Sequence, residues 1–314
     1  MDLLYALQVM RENIDPSVTE FFMFVSDAMI LVIPIGILAV YWSVEKEIGK
    51  KLITELVYCF WFNGVAKLTA CIYRPWVLDK RLHVFDAAAE TATGYSFPSA
   101  HTSVTVIGFA NLAICARKKV WKIISIALII MVMISRMWLG CHSIWDVIGG
   151  AVISLILMLI VKIADWKLDG NKNKPLVILI IAVVLSVLTI IYIESKSYPL
   201  DYDAMGNLIV DPDDMKPDTY MGIAMILGWG IGNFIEDKFI KFTTDGTKWQ
   251  KVLRTVIGAV LFLTVYSSVK YLVPSLNASL QKFVRMFAAS IVGMAAYPWL
   301  FMKWRNRKNV KASV

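Results

Sequence analysis

The sequence predicts an all-α, polytopic helical membrane protein with about nine transmembrane helices, its N-terminus outside and its C-terminus cytoplasmic. Three observations carry that expectation. Of the 314 residues, 58% are hydrophobic and 18% charged, with a mean hydropathy of +0.63. Soluble domains carry about 25% charged residues. A bilayer core of ~30 Å needs ~20 apolar residues per crossing helix, and runs of that kind recur along the chain. Lys and Arg gather in alternate loops between those runs, which is the pattern of cytoplasmic loops.

Taken in order, residues 1–20 lack the basic start of a secretory signal and carry Asp2, Glu12, Asp15 and Glu20. Leu3, Leu4, Leu7, Val9 and Met10 give this segment one apolar face, which predicts a short helix in the membrane interface. Spans are expected at 21–42, 52–73, 99–116, 121–139, 144–164, 175–193, 218–235, 252–272 and 283–302. The seventh is short and rich in glycine (Gly222, Gly228, Gly230, Gly232), a composition that suits close helix packing. The basic loops hold Lys46, Lys50 and Lys51, then Arg117 to Lys122, then Lys162 to Lys174, then Lys238 to Lys251. A basic tail over 304–314 includes Arg305, Arg307, Lys308 and Lys311. With these in the cytoplasm, loops 74–98, 140–143, 194–217 and 273–282 face outward. The third is acidic, with Glu194, Asp201, Asp203, Asp211, Asp213 and Asp214. The chain divides into an interfacial segment (1–20), a five-span core (21–165), four further spans (175–303) and the tail.

The net charge of +8 follows from those loops, and no nucleic-acid partner is expected. The cysteines, Cys59, Cys71, Cys115 and Cys141, form no CxxC pair, which argues against a zinc ribbon or a disulfide scaffold.

Ionisable groups at membrane depth are costly, so each is a functional candidate. Most of them fall between Lys67 and Asp146. Lys67 and Arg74 are seven residues apart, close to two helical turns, and share a helix face. Pro98-Ser99-Ala100-His101 reads as a helix start with Ser99 at the N-cap, where free backbone N–H groups and the dipole suit a phosphate. Arg136 ends the fourth span. His142 and Asp146, four residues apart, lie on one face of the fifth, where a carboxylate can hold one imidazole nitrogen and leave the other to attack. Alone, each group has an ordinary explanation: a snorkelling lysine, a capped helix, a His–Asp helix pair. Together they place cations and two of the three histidines at one membrane face from three separate segments. His83, in the same outer loop, reads as solvated. Asp201-x-Asp203 before Gly206 faintly suggests a calcium loop, but Met205 and Pro212 occupy ligand positions, so calcium is rejected.

Lys67-x6-Arg74-Pro75, Pro98-Ser99-Ala100-His101 and Ser135-Arg136-x5-His142-x3-Asp146 resemble the three-part signature of the type 2 phosphatidic acid phosphatase superfamily, in order and in spacing. The nine-span layout resembles the glucose-6-phosphatase family and, more loosely, the sphingosine-phosphate phosphatases. The resemblance implies a phosphoric monoester hydrolase in which His142 attacks phosphorus and forms a phosphohistidine. It implies that Asp146 orients His142 and that His101 is the general acid and base. Lys67, Arg74, Ser99, Ala100 and Arg136 would bind the phosphate. No metal and no cofactor are expected. Ala100 stands where the family usually has glycine; were φ positive there, alanine would cost stability.

The expected function is hydrolysis of a lipid phosphate or lipid diphosphate within the bilayer, at the outward face of a bacterial plasma membrane. Phosphatidate, phosphatidylglycerophosphate, a polyprenyl diphosphate and a sphingoid phosphate are the substrate choices. A phosphotransferase and a sugar-phosphate phosphatase are alternatives within the family. A non-catalytic transporter or scaffold on the same fold is the alternative of another class, and it would use Asp27 and Glu55 in the first two spans. Trp76, Trp138 and Trp145 are expected in an aromatic belt more than in a substrate entry.

Overall fold

A computed structural model describes residues 1–312 apart from Thr93 and Ala204, with side chains as far as Arg305. Ser313 and Val314, and the side chains of Arg307, Lys308 and Lys311 in the expected tail, lie outside the described residues. The chain is helical, and among the described residues the one β-bridge joins Tyr202 to Leu208. In order, the helices are α1 (Asp2–Asn13), α2 (Pro16–Ala39), α3 (Lys46–Ala70), α4 (Pro75–Leu78), α5 (Asp86–Ala89), α6 (Ala100–Cys115) and α7 (Lys119–Trp138). They continue with α8 (Ile144–Lys167), α9 (Lys174–Ser195), α10 (Lys216–Ile235), α11 (Lys248–Leu272), α12 (Ala278–Ile291) and α13 (Tyr297–Ala312).

By length and composition, 7 helical stretches are able to cross a membrane: Pro16–Val44, Lys46–Leu78, Lys119–Trp138, Ile144–Lys167, Lys174–Ser195, Lys248–Leu272 and Ala278–Arg305. α6 is apolar but shorter, at 16 residues, and the glycine-bearing α10 is not among the 7. Helix ends follow from local chemistry. Ser99 caps α6, Thr247 and Gln250 form a reciprocal capping box on α11, and Asn277 caps α12 through Leu280 N–H.

Two compact units are distinguished. The first comprises Met1–Ile33, Phe62–Ile160 and Ile193–Thr219. In it α6 packs on α7, and α1 is tied down by polar contacts. Gln8 accepts from His83 N–H at 2.7 Å, and Arg11 donates to the carbonyls of Trp138 at 2.9 Å and His83 at 2.6 Å. Leu4 and Gln8 are buried, while Leu3, Val9 and Met10 are exposed. The acidic 194–217 segment makes a turn in which the Asp203 carboxylate accepts from the N–H groups of Met205 and Asn207.

The second unit comprises Pro34–Trp61, Val161–Tyr192 and Tyr220–Val314, of which residues up to 312 are described. Its buried centre is aromatic: Tyr41, Trp42, Trp229, Phe242 and Tyr297. Three π-helical segments occur here, Val40–Val44, Glu236–Ile240 and Val292–Ala296. They turn polar groups onto one another. Tyr41 and Trp42 donate to the carbonyls of Met294 and Gly293, and Arg254 donates to that of Trp42. The buried Glu236 carboxylate pairs with Lys46 at 3.0 Å and Lys50 at 2.7 Å.

Candidate active site

The catalytic and phosphate-binding candidates from Lys67 to Asp146 all fall in the first unit, and main-chain bonds splice their segments together. Ser96 N–H donates to the Ile72 carbonyl at 2.7 Å, and Ser99 N–H donates to the Asp146 carbonyl at 3.0 Å. Gly150 permits the second join: a Cβ there would lie 2.7 Å from the Ser99 carbonyl oxygen and 3.1 Å from Ser103 Oγ.

The five-residue gap between Arg136 and His142 has a physical reason. α7 ends in a paired turn in which Cys141 N–H reaches back to the Arg136 carbonyl and Gly140 N–H to that of Met137. Gly140 takes φ +77, the left-handed conformation such a turn needs. The chain reverses, His142 N–H also bonds the Arg136 carbonyl, and α8 begins two residues later. Ser143 and Asp146 cap α8 reciprocally: Ser143 N–H donates to Asp146 Oδ2 at 2.6 Å, and Asp146 N–H to Ser143 Oγ at 3.3 Å.

His142 and Asp146 are both buried, but their side chains do not bond directly. Nδ1 and Oδ2 are 3.8 Å apart. Ser96 stands between them, donating to Asp146 Oδ2 at 2.6 Å and lying 3.4 Å from His142 Nδ1. A direct carboxylate–imidazole hold is therefore replaced by a relay through a hydroxyl. On the other side of the ring, Arg74 Nη1 is 3.1 Å from Nε2. A guanidinium only donates, so Nε2 carries the lone pair and Nδ1 the proton. Burial, and then the charges of Arg74, Arg136 and Lys67, hold the imidazole well below its usual pKa, with a bond to the Ser96 main chain pulling the other way.

The cations are positioned by neutral oxygens. Lys67 Nζ donates to the Tyr95 carbonyl at 3.0 Å, and Arg74 to the carbonyls of Cys141 at 2.9 Å and Gly94 at 3.2 Å. Arg136 donates to Ser26 Oγ at 2.9 Å, and its Nε is buried without a hydrogen-bond partner. Among the described residues, neither Lys67 nor Arg136 makes an ion pair. Ser99 Oγ accepts from the Thr102 N–H and hydroxyl, so its own proton can be donated onward. Ala100 opens α6 and is not among the positive-φ residues, so alanine carries no backbone strain there. His101 is one residue further on. The charges of Arg136, Lys67 and Arg74 reach it, as does His142.

Two residues given no part in the phosphatase reading of the sequence lie beside these groups. Ser96 lay in plain view two residues before Pro98, but a serine there gives no sign of which groups it bridges. Asp27, on α2, places Oδ1 3.9 Å from His101 Nε2. Its signal was an acid inside an apolar span, which fits a transporter equally well. The tryptophans separate. Trp76 lies under the Arg74 guanidinium at 5.6 Å, Trp138 is buried and donates to Thr19 Oγ1, and Trp145 is 72% exposed, as a belt residue would be. His83 is largely exposed, with Gln8 and Glu12 beside it.

These features describe a helical membrane protein with a buried cluster of two histidines and three cations beside a helix N-terminus. The family model for the PAP2 superfamily matches residues 50–169, and the model for the PAP2 superfamily phosphatase transmembrane extension matches residues 220–309. The chain belongs to the PAP2 superfamily, as its three motifs suggested. It is 28% identical over 120 residues to the phosphatidylglycerophosphatase B of Bacillus subtilis, covering 35% of this chain and 58% of that protein. It is also 28% identical over 118 residues to the undecaprenyl-diphosphatase of Sulfolobus acidocaldarius, covering 38% of this chain and 55% of that protein. The chain thus spans somewhat over half the length of these curated relatives. No solved structure gives a significant match.

Proposed function

We propose that the protein is an integral-membrane, metal-independent phosphatase that hydrolyses a lipid phosphate or lipid diphosphate at the extracytosolic face through a phosphohistidine. The observation that carries this reading is the state of the buried cations. Lys67 and Arg136 are 8% and 1% exposed, make no ion pair among the described residues, and flank a histidine whose Nε2 bears a lone pair. Leaving buried charges unanswered costs several kcal/mol by order of magnitude. A phosphoryl group answers them, and Ser99 and the α6 N-terminus add donors. Family membership and the two phosphatase relatives support the same class.

In the first step His142 Nε2 attacks phosphorus in line, the P–O bond to the leaving group breaks, and the leaving oxygen takes a proton from His101. In the second, His101 removes a proton from water as its oxygen attacks phosphorus, the P–N bond breaks, and inorganic phosphate is released. Nδ1–H, held toward Ser96 and through it toward Asp146, stabilises the positive ring. Lys67, Arg74 and Arg136 offset the charge on the transferring phosphoryl oxygens.

The proposed topology counts α6 and α10 with the 7 longer stretches, giving nine crossings, an outward N-terminus and a cytoplasmic C-terminus in a bacterial plasma membrane. At 1.5 Å per residue these two helices reach about 24 and 30 Å. The catalytic core is assigned to 21–165. Phosphate release by purified protein in detergent tests the reading, with His142→Ala beside wild type on lipid phosphates, a polyprenyl diphosphate and glucose 6-phosphate. Turnover that persists with chelator and is lost in the mutant is expected. Equal rates in the two proteins would remove the nucleophile assignment.

A further inference from the structure

We infer that Asp27 selects the leaving group, favouring phosphomonoesters, which leave as neutral alcohols, over diphosphates, which leave as phosphate anions. The inference rests on the phosphatase reading and deepens it. His101 Nε2 is the outermost polar atom of the general acid, and Asp27 Oδ1 lies 3.9 Å from it. A leaving oxygen within hydrogen-bond reach of that nitrogen, about 3 Å, is at most about 7 Å from the carboxylate. Asp27 therefore lies within reach of the departing group's charge. Its side chain is 47% exposed, so the carboxylate is not enclosed with the buried cations. It is also the acid closest to His101 among the ion pairs of the described residues, and it follows Ser26 on α2, whose hydroxyl accepts from Arg136.

The two leaving groups differ in charge. When the P–O bond of a monoester breaks, the oxygen keeps the electron pair, receives the proton of His101 and departs as an alcohol. When the bridging bond of a lipid diphosphate breaks, the same oxygen belongs to a second phosphate, which remains anionic after taking that proton. Lys67, Arg74 and Arg136 are committed to the transferred phosphoryl oxygens, so the departing phosphate meets Asp27. For two unit charges about 7 Å apart at a half-exposed site, repulsion corresponds to about a tenfold loss in rate. A carboxylate beside a histidine can alternatively act only by orienting the ring and strengthening its hold on the proton. In that case both substrates depend on it alike, and the ratio of their rates distinguishes the roles.

The experiment uses a polyprenyl monophosphate and the diphosphate of the same chain length. It compares kcat/KM for wild type, Asp27→Asn and Asp27→Ser, with thermal melting in detergent as the check on folding. The expected result is a diphosphate-to-monophosphate ratio that rises about tenfold in both variants. A ratio within twofold of wild type, or one that falls, overturns the inference, including the case where both substrates lose rate together. If neither variant folds, the wild-type ratio measured from low salt to about 1 M decides: screening of a half-exposed carboxylate should raise it, and a flat ratio overturns the inference. A wild type inert on every substrate overturns the phosphatase reading, and this inference with it.

Discussion

Ser96→Ala isolates the contact that orients His142, the proposed nucleophile. Ser96 is fully buried, its hydroxyl donates to Asp146 Oδ2 at 2.6 Å, and the same oxygen is 3.4 Å from His142 Nδ1. Hydrogen bonds to charged groups are worth about 1.5–3 kcal/mol. In the resting protein Asp146 keeps its bond from Ser143 N–H, so folding should lose no more than the lower end of that range. In the transition state the ring becomes an N-phosphorylated imidazolium whose Nδ1–H needs the acceptor, and the loss falls on the barrier. At about 1.4 kcal/mol per decade, kcat should drop by about 10- to 100-fold while KM moves less than about threefold. Initial rates on a lipid phosphate, with a melting curve to verify folding, provide the assay. A Ser96→Ala protein with kcat within twofold of wild type, beside an Asp146→Ala protein that has lost activity, would refute the reasoning. Asp146 would then act on His142 by closing the 3.8 Å gap itself.

Two further expectations concern the same site. Gly150→Ala places a methyl 2.7 Å from the Ser99 carbonyl oxygen, so it should cost about 1–3 kcal/mol of stability and displace the α6 N-terminus; an unchanged melting temperature and unchanged kcat/KM would show the join to be looser than described. His142 has its pKa lowered by burial and neighbouring cations, so its imidazole is neutral, as the proposed nucleophile must be, at every pH above that lowered value. The acid limb of kcat/KM, with the substrate's own ionisation divided out, should lie below about 6.5. The linked stability has the same sign, complete above about 6.5 and lost as pH falls toward the lowered value, and an acid limb at or above 6.5 would refute the assignment.

What was legible in the sequence was what periodicity and spacing encode. The apolar runs gave the long helices, and the motif spacings gave the set of residues that meet. The intervening geometry was not legible. Arg136-x5-His142 works because Gly140 can adopt φ +77 and close a turn that returns Cys141 and His142 to the Arg136 carbonyl. No count of residues shows that. His142 and Asp146 at i and i+4 suggested a direct bond, yet the i+4 spacing is satisfied while the carboxylate turns to cap its own helix and to accept from Ser96, a residue 46 positions before His142. Ala100 raised a conformational question that only the backbone answers, because the first residue of a helix needs no positive φ. Span number was read from composition, and α6 and α10 are the places where composition and helix length part: one is apolar but short, the other long enough but interrupted by glycine.

The same side-chain chemistry serves two ends within this chain, and partner identity tells them apart. Lys46 and Lys50 were read from sequence as cytoplasmic loop charges, but both reach the buried Glu236 carboxylate, which also accepts from Phe242 N–H. Lys50 also pairs with Glu47 at 3.7 Å, so two lysines meet two carboxylates, and an arriving anion would have to displace a carboxylate already in place. Lys67 and Arg136 are more deeply buried, and they lean on a carbonyl and a hydroxyl, acceptors that orient a cation without cancelling its charge. Such a pair is stable only at a cost that an anionic ligand relieves, and Arg136 Nε, with no partner, is a donor still waiting for one. A buried cation whose geometry is fixed and which makes no ion pair is what the proposed phosphate site needs, and the carbonyls of Tyr95, Gly94 and Cys141 hold Lys67 and Arg74 in place.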